Sequence, residues 1–248
     1  TWPEPYSMQG ISEDDLVDFT PELKAQALEA MEDYVMGGLF NPPIHADNPL
    51  GKYAAMNCPG GAGGVNITSP PVADPTTNTM YVSSHIACFA FRLIPGEEAD
   101  LLFANSTGAT TALYANGVPG ATARPPRHPA GIPIWKPPYS TITAYDMDTG
   151  EKAFEIPTGE TPQRYAEVFE RAGADMDEVG NTGTGGLVPM VVTENMLIYA
   201  DQAADGTPML WAIDKDSGEI AGKIEAPARS SYGMSSWVHE GHQYLMLQ

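Results

Sequence analysis

Two stretches decide how this chain folds: Thr143-Ala-Tyr-Asp-Met-Asp-Thr-Gly-Glu151 and Trp211-Ala-Ile-Asp-Lys-Asp-Ser-Gly-Glu219. Each reads as a strand of alternating apolar residues, then Asp-x-Asp-Thr/Ser-Gly, then a second short strand over 152–156 or 220–224. Aspartate and a Ser/Thr hydroxyl bond back to local backbone, and glycine supplies the positive φ of the reversal, so the phrase encodes a hairpin. A hairpin written twice makes the fold an assembly of recurring β-units.

Working outward, the chain reads as all-β with one helix near the N-terminus. Residues 1–19 read as an extended, acidic lead-in. A helix is expected over 20–36, with Thr20 as N-cap, Pro21 at the first helical position and Leu23, Ala27, Leu28 and Met31 at helical spacing. Gly37-Gly38 and Asn41-Pro42-Pro43 end it. The region 37–248 carries short strands, among them Met80-Tyr-Val-Ser83, 139–156, 189–192, 196–199, Ser235-Ser-Trp-Val238 and Tyr244-Leu-Met-Leu247. Residues 165–172 are expected to form a short helix. Residues 95–138, rich in Gly, Pro and Thr, read as a long surface insertion. Ten to fourteen strands amount to three or four propeller blades, too few to close a ring, with raw sheet edges that another chain or more of the same chain must cover.

Composition excludes several functions. The 248 residues suffice for a substantial core, and 42% hydrophobic content argues against a disordered chain. With 12 Lys and Arg against a formal charge of −20, a nucleic-acid partner is excluded. No apolar run approaches the roughly 18 residues of a membrane span. The first residues form no signal peptide, and the chain starts without Met, as a processed product or a fragment would. Cys58 and Cys88 are the only cysteines. A disulfide and two separate buried thiols both fit, whereas two cysteines without nearby paired histidines make no zinc site.

Several segments, in order, carry a resemblance: Asp14-Asp-Leu-Val-Asp-Phe-Thr-Pro-Glu-Leu23, Leu39-Phe-Asn-Pro-Pro43, Gly60-Gly-Ala-Gly-Gly-Val-Asn66, Val72-Ala-Asp-Pro-Thr-Thr77, Trp135-Lys-Pro-Pro-Tyr139, Ile142-Thr-Ala-Tyr-Asp146 and Gly241-His-Gln-Tyr244. Together the chain resembles the C-terminal half of the pyrroloquinoline quinone (PQQ)-dependent dehydrogenases, in their membrane glucose dehydrogenase-like branch. The resemblance implies part of an eight-bladed β-propeller, about half of whose blades lie in this chain. It implies oxidation of an alcohol or sugar hydroxyl to a carbonyl, with PQQ as hydride acceptor and calcium as Lewis acid. It implies a periplasmic protein, which favours a Cys58–Cys88 bridge. The partners implied are the hydroxyl substrate, the other half of the propeller, and an electron acceptor such as a quinone or cytochrome. In this family the catalytic Asp, the calcium ligands and the quinone-stacking Trp lie mainly in the first half. No catalytic or metal residue is therefore assigned within this chain.

Three residues are candidates for cofactor binding. Asn66 follows a glycine-rich loop that lets backbone approach a planar ligand, and its amide can bond a quinone carbonyl or carboxylate. Asn181 and Thr182 open Asn181-Thr-Gly-Thr-Gly-Gly186, which resembles a family segment lining the central cavity and offers hydroxyls and backbone N–H groups. Lys136 can face an anionic cofactor or simply solvent. Asp146, Asp148, Asp214 and Asp216 lack the Gly and Glu of a calcium loop, and the hairpin accounts for them. Of the five histidines, His85 at the end of a strand is the one to watch. The sequence departs from the family in three places. Ile67 follows Asn66 where the family often has Trp, and Phe154 and Gly222 stand where a blade-docking Trp is usual. These changes define a competing reading, a non-catalytic propeller scaffold or binding module that has lost the cofactor.

Overall fold

The computed structural model describes residues 3–65, 67–95, 114–115, 122–123, 125–230 and 232–248. It divides into two compact units. One comprises residues 1–7, 62–86 and 137–248, the other residues 8–61 and 87–136.

The first unit holds the repeated hairpins. Strands β1 (Val72–Asp74), β2 (Thr79–His85), β3 (Ser140–Asp146) and β4 (Lys152–Pro157) form one antiparallel sheet in the order β4-β3-β2-β1. Strands β5 (Met190–Val192), β6 (Met196–Gln202), β7 (Pro208–Asp214) and β8 (Ile220–Glu225) form a second in simple sequential order. A hairpin of β9 (Met234–His239) and β10 (His242–Leu247) follows. The innermost strands meet, β5 packing between β1 and β9, which is the arrangement of neighbouring propeller blades. The first unit thus contains two four-stranded blades and a further two-stranded hairpin, and the second unit contains a six-stranded sheet.

The two hairpin turns are copies in structure as in sequence. Asp146 Oδ1 accepts from the N–H groups of Asp148 at 2.7 Å and Thr149 at 3.1 Å. Asp214 Oδ1 accepts from those of Asp216 at 3.0 Å and Ser217 at 2.9 Å. Gly150 and Gly218 take φ of 75° and 76°, the left-handed region that glycine enters without strain. Both carry the same register shift, between Ala144 and Tyr145 and between Ala212 and Ile213.

Blade packing follows from strand alternation. Tyr81, Ile142 and Ala144 of the first blade face Met190, Leu197, Tyr199, Trp211 and Ile213 of the second in one buried cluster. Tyr199 and Trp211 stack with ring centroids 5.3 Å apart. At the hairpin end Lys215 Nζ bonds Asp74 Oδ2, both groups buried, and the Tyr81 hydroxyl donates to the Lys215 carbonyl at 2.8 Å. The Lys215 ammonium, with the Thr76 hydroxyl, holds the Asp74 carboxyl well below the usual carboxylate range.

The second unit corrects three expectations. The helix α1 (Pro21–Met31) keeps its Thr20 cap, the Leu23 N–H donating to Thr20 Oγ1 at 3.2 Å. It stops short of residue 36 because Tyr34–Val35 leaves to pair in parallel with Ala54 and Ala55, tertiary pairing overriding helical continuation. The lead-in is not wholly extended, since Glu13–Asp15 forms a 3-10 turn. Much of the expected insertion lies outside the described residues. Within it, Ile132, Ile134 and His128 are buried, and His128 Nε2 bonds the Leu23 carbonyl, so this stretch is part of a core rather than a surface loop. Cys58 and Cys88 are joined in a disulfide.

In the first unit, α2 (Gln163–Arg171) is the expected short helix, and α3 (Met176–Val179) adds one further turn. None of the helices described is long and apolar enough to cross a membrane.

Candidate functional site

The two blades are apolar through the middle of their interface and polar at the end opposite the hairpin turns. That polar end gathers the last residues of β2 and β6, the first of β3, and the segments that follow β4 and precede β5.

His85 closes β2. Its backbone exchanges two hydrogen bonds with Gly64, at 2.7 and 3.2 Å, so the last glycine of the loop before Asn66 is pinned to a blade strand. The His85 ring bonds the Ala62 carbonyl through Nε2 at 2.6 Å. A carbonyl only accepts, so Nε2 carries the proton and Nδ1 is left as an acceptor. Nδ1 is buried and has no partner among the described residues; the same holds for the hydroxyls of Ser69 and Tyr139. Buried polar groups are ordinarily satisfied, so each of these orphans is a candidate contact for a ligand. Burial pushes the Tyr139 hydroxyl far above the ordinary phenol range, which keeps it a donor.

Asn66, the first candidate, lies outside the described residues; two positions before it Gly64 pairs with His85, and three positions after it Ser69 is buried. Ile67, which stands where the family often has an aromatic, is 94% exposed.

Asn181 and Thr182 are described, and their side chains build the segment in which they lie. Asn181 Nδ2 donates to the Gly159 carbonyl at 2.8 Å, and its Oδ1 accepts from the Gly183 N–H at 3.1 Å. Thr182 is fully buried, its hydroxyl donating to the Gly183 carbonyl at 3.0 Å. The expectation of free N–H groups fails. The N–H groups of residues 182–186 donate in turn to Thr161 Oγ1, Asn181 Oδ1, the Thr158 carbonyl, Ser140 Oγ and Thr184 Oγ1. A segment this rich in glycine holds one shape by spending its own donors.

Thr184 of the same segment and three residues that the sequence did not single out, Asp201, Thr158 and Ser140, complete this end. The Thr184 hydroxyl lies 2.9 Å from each carboxylate oxygen of Asp201. Thr158 bonds the same carboxylate, and its hydroxyl sits 2.8 Å from Ser140 Oγ. Burial raises the Asp201 carboxyl to about 6, against the opposing pull of these hydroxyls. An acid at the end of the apolar run 196–200 was the one available signal.

The remaining candidates have structural partners. Lys136 forms an ion pair with Asp18 at 2.8 Å. The hairpin aspartates 146 and 214 serve their turns, as expected. Among the described residues no three His, Cys, Asp or Glu side chains cluster as metal ligands.

With this architecture in place, comparison with known proteins defines the class. The family described as "PQQ: Glucose/ethanol/alcohol dehydrogenase, beta-propeller domain" matches residues 1–245, and the chain belongs to that family. The quinate/shikimate dehydrogenase (quinone) of Acinetobacter baylyi is 26% identical over 214 residues, covering 82% of this chain and 25% of that protein. Among solved structures, the quinohemoprotein alcohol dehydrogenase ADHIIG of Pseudomonas putida aligns with TM-score 0.49 and 17% identity, over 81% of this chain and 24% of its own. A europium-containing methanol dehydrogenase aligns with TM-score 0.45 and 17% identity, over 77% and 25%. The chain spans about a quarter of the length of these relatives.

Proposed function

We propose that this chain is part of a periplasmic quinoprotein dehydrogenase that oxidises an alcohol or sugar hydroxyl to the carbonyl. Membership of the PQQ family supports the reaction class. The observation that carries the site is the set of orphaned polar atoms in the first unit, His85 Nδ1, Ser69 Oγ and Tyr139 Oη. By their chemistry, two hydroxyls and one ring-nitrogen acceptor suit a ligand that bears carboxylates, carbonyls and a ring N–H. PQQ, when bound, supplies the hydride-accepting quinone, and calcium the Lewis acid.

In this reading Asn66 meets the cofactor directly, and the segment opened by Asn181 and Thr182 shapes the adjoining wall. The proton-abstracting Asp and the calcium ligands are placed in the remaining blades, as is the second wall of the substrate pocket. Those blades also cover an apolar groove of about 330 Å³ at β7 and β8, lined by Trp211, Leu210 and Ile224 with Leu245 of β10. The electron acceptor is a quinone or cytochrome. The Cys58–Cys88 disulfide supports an oxidising compartment.

A second reading, a cofactor-free propeller scaffold, draws on the exposed Ile67, where an aromatic would otherwise flank the ligand. The test is dye-linked oxidation of a panel of alcohols and sugars by the intact molecule after addition of PQQ and calcium. Turnover that requires PQQ supports the dehydrogenase. No turnover with any hydroxyl substrate, in a molecule that also fails to bind PQQ, supports the scaffold.

A further inference from the structure

Asp201 is the next-to-last residue of β6, at the end of the blade opposite the hairpin turns. Both of its oxygens accept from the Thr184 hydroxyl in the segment before β5. Through Thr158 and Ser140, whose Oγ accepts from the Gly185 N–H at 3.0 Å, the same network reaches the first blade. The fit is close. A Cβ at Gly159, where φ is +64°, would lie 2.9 Å from Asp201 Oδ2 and 2.7 Å from Thr184 Cγ2, and a Cβ at Gly183 would lie 2.6 Å from the Ser140 carbonyl. The segment so held lies over Tyr139, whose N–H donates to the Thr182 carbonyl at 2.7 Å and whose hydroxyl is one of the three orphans.

We infer that Asp201 is a positioning residue for the cofactor wall, clamping residues 181–186 in the contour that Tyr139 and the neighbouring ligand surface require. The inference rests on the PQQ reading for its consequence, not for the clamp itself. Apolar packing would hold the segment more cheaply than a half-buried acid, since withdrawing an ionised carboxylate from water opposes folding. What the acid adds is direction: both carboxylate oxygens take the Thr184 hydroxyl and so tie the segment to β6. The charged or titratable groups that interact with it are Arg229 and Tyr199.

The test uses the intact molecule and three variants, Asp201→Ala, Asp201→Asn and Thr184→Val. Hydrogen exchange at the amides of 182–186 is read without ligand, and PQQ affinity by quenching of tryptophan fluorescence. Asp201→Ala and Thr184→Val are expected to speed exchange in this segment at least tenfold and weaken PQQ binding about tenfold. Asp201→Asn is expected to recover most of both, because its amide oxygen still accepts from Thr184. Asp74→Asn, at the other end of the blades, serves as the control that lowers the melting temperature and leaves the affinity unchanged. Unchanged exchange in both clamp variants overturns the inference, as does wild-type PQQ affinity in a variant whose exchange has risen. Faster exchange in a molecule whose wild type binds no PQQ upholds the clamp and overturns the PQQ reading instead.

Discussion

The ring of Phe154 lies against Gly218, so close that a Cβ on that glycine would stand 2.8 Å from the ring. Phe154 leaves β4 of the first blade and Gly218 turns the hairpin of the second, so this ring docks one blade on the next. The same ring packs against Tyr81, with centroids 6.3 Å apart. The lock is rebuilt around a smaller aromatic and a bare glycine.

Phe154→Ala is expected to destabilise the blade pair by about 3 kcal/mol, at the lower end for buried aromatics because Phe154 is half-buried. Gly218→Ala combines the clash with a φ of +76° and is expected to cost about 2 kcal/mol. Denaturant unfolding followed by Trp211 fluorescence reads both. Wild-type midpoints would remove the docking role.

Asp74 and Lys215 form the second lock, and removing one partner leaves the other charge buried. Asp74→Asn is expected to cost about 3 kcal/mol, whereas Asp74→Leu with Lys215→Met is expected to lie close to wild type. The Asp74 pKa is lowered in the folded state, so its contribution is present above the unfolded carboxylate value, near 4, and is lost as pH falls below it. Melting temperature against pH should fall at the acid end for wild type, and less steeply for the double variant.

Asp201 runs the other way. Its carboxyl is raised to about 6, so the folded state binds that proton more tightly than the unfolded chain does. Its contribution to stability is present below about pH 4 and is lost as pH rises through 6. Asp201→Asn should therefore flatten the stability profile between pH 4 and 7, a change of about 2 kcal/mol after allowance for partial exposure. A profile identical to wild type would show that the acid titrates normally.

The disulfide closes a loop of 30 residues between Cys58 and Cys88. Chain entropy assigns such a bridge about 3–4 kcal/mol. Cys58→Ser with Cys88→Ser should lower the unfolding midpoint of residues 8–61 and 87–136 while leaving the blade core. Limited proteolysis that opens both units alike would contradict this.

How much of this was legible in the sequence depended on where the determining contacts lie. The hairpins could be read because Asp146, Gly150, Asp214 and Gly218 make their turns with neighbours a few residues away. The end of the first helix could not, because Tyr34 and Val35 answer to Ala54 and Ala55, a long-range pairing that leaves no local trace. The inward packing of Ile132 and Ile134 was hidden for the same reason in a stretch dominated by Gly and Pro. At the site, Asn181 and Thr182 were legible as members of a segment, but their bonding was not. Whether an N–H is free is decided by Thr161, Thr158 and Ser140, which reach it from elsewhere in the fold. Asp201 was missed because one carboxylate after an apolar strand looks like any strand end until the Thr184 hydroxyl is placed on it.

The central claim, that this chain supplies one wall of a PQQ site, is tested most directly by titrating the intact molecule with PQQ in the presence of calcium. Bound quinone is read by absorbance and particle mass under non-denaturing conditions. The account predicts one PQQ per particle several times the mass of this 26.5 kDa chain, with binding weakened by Asn66→Ala. A particle of that size that takes up no PQQ, or binds it as tightly when Asn66 is replaced, would contradict it.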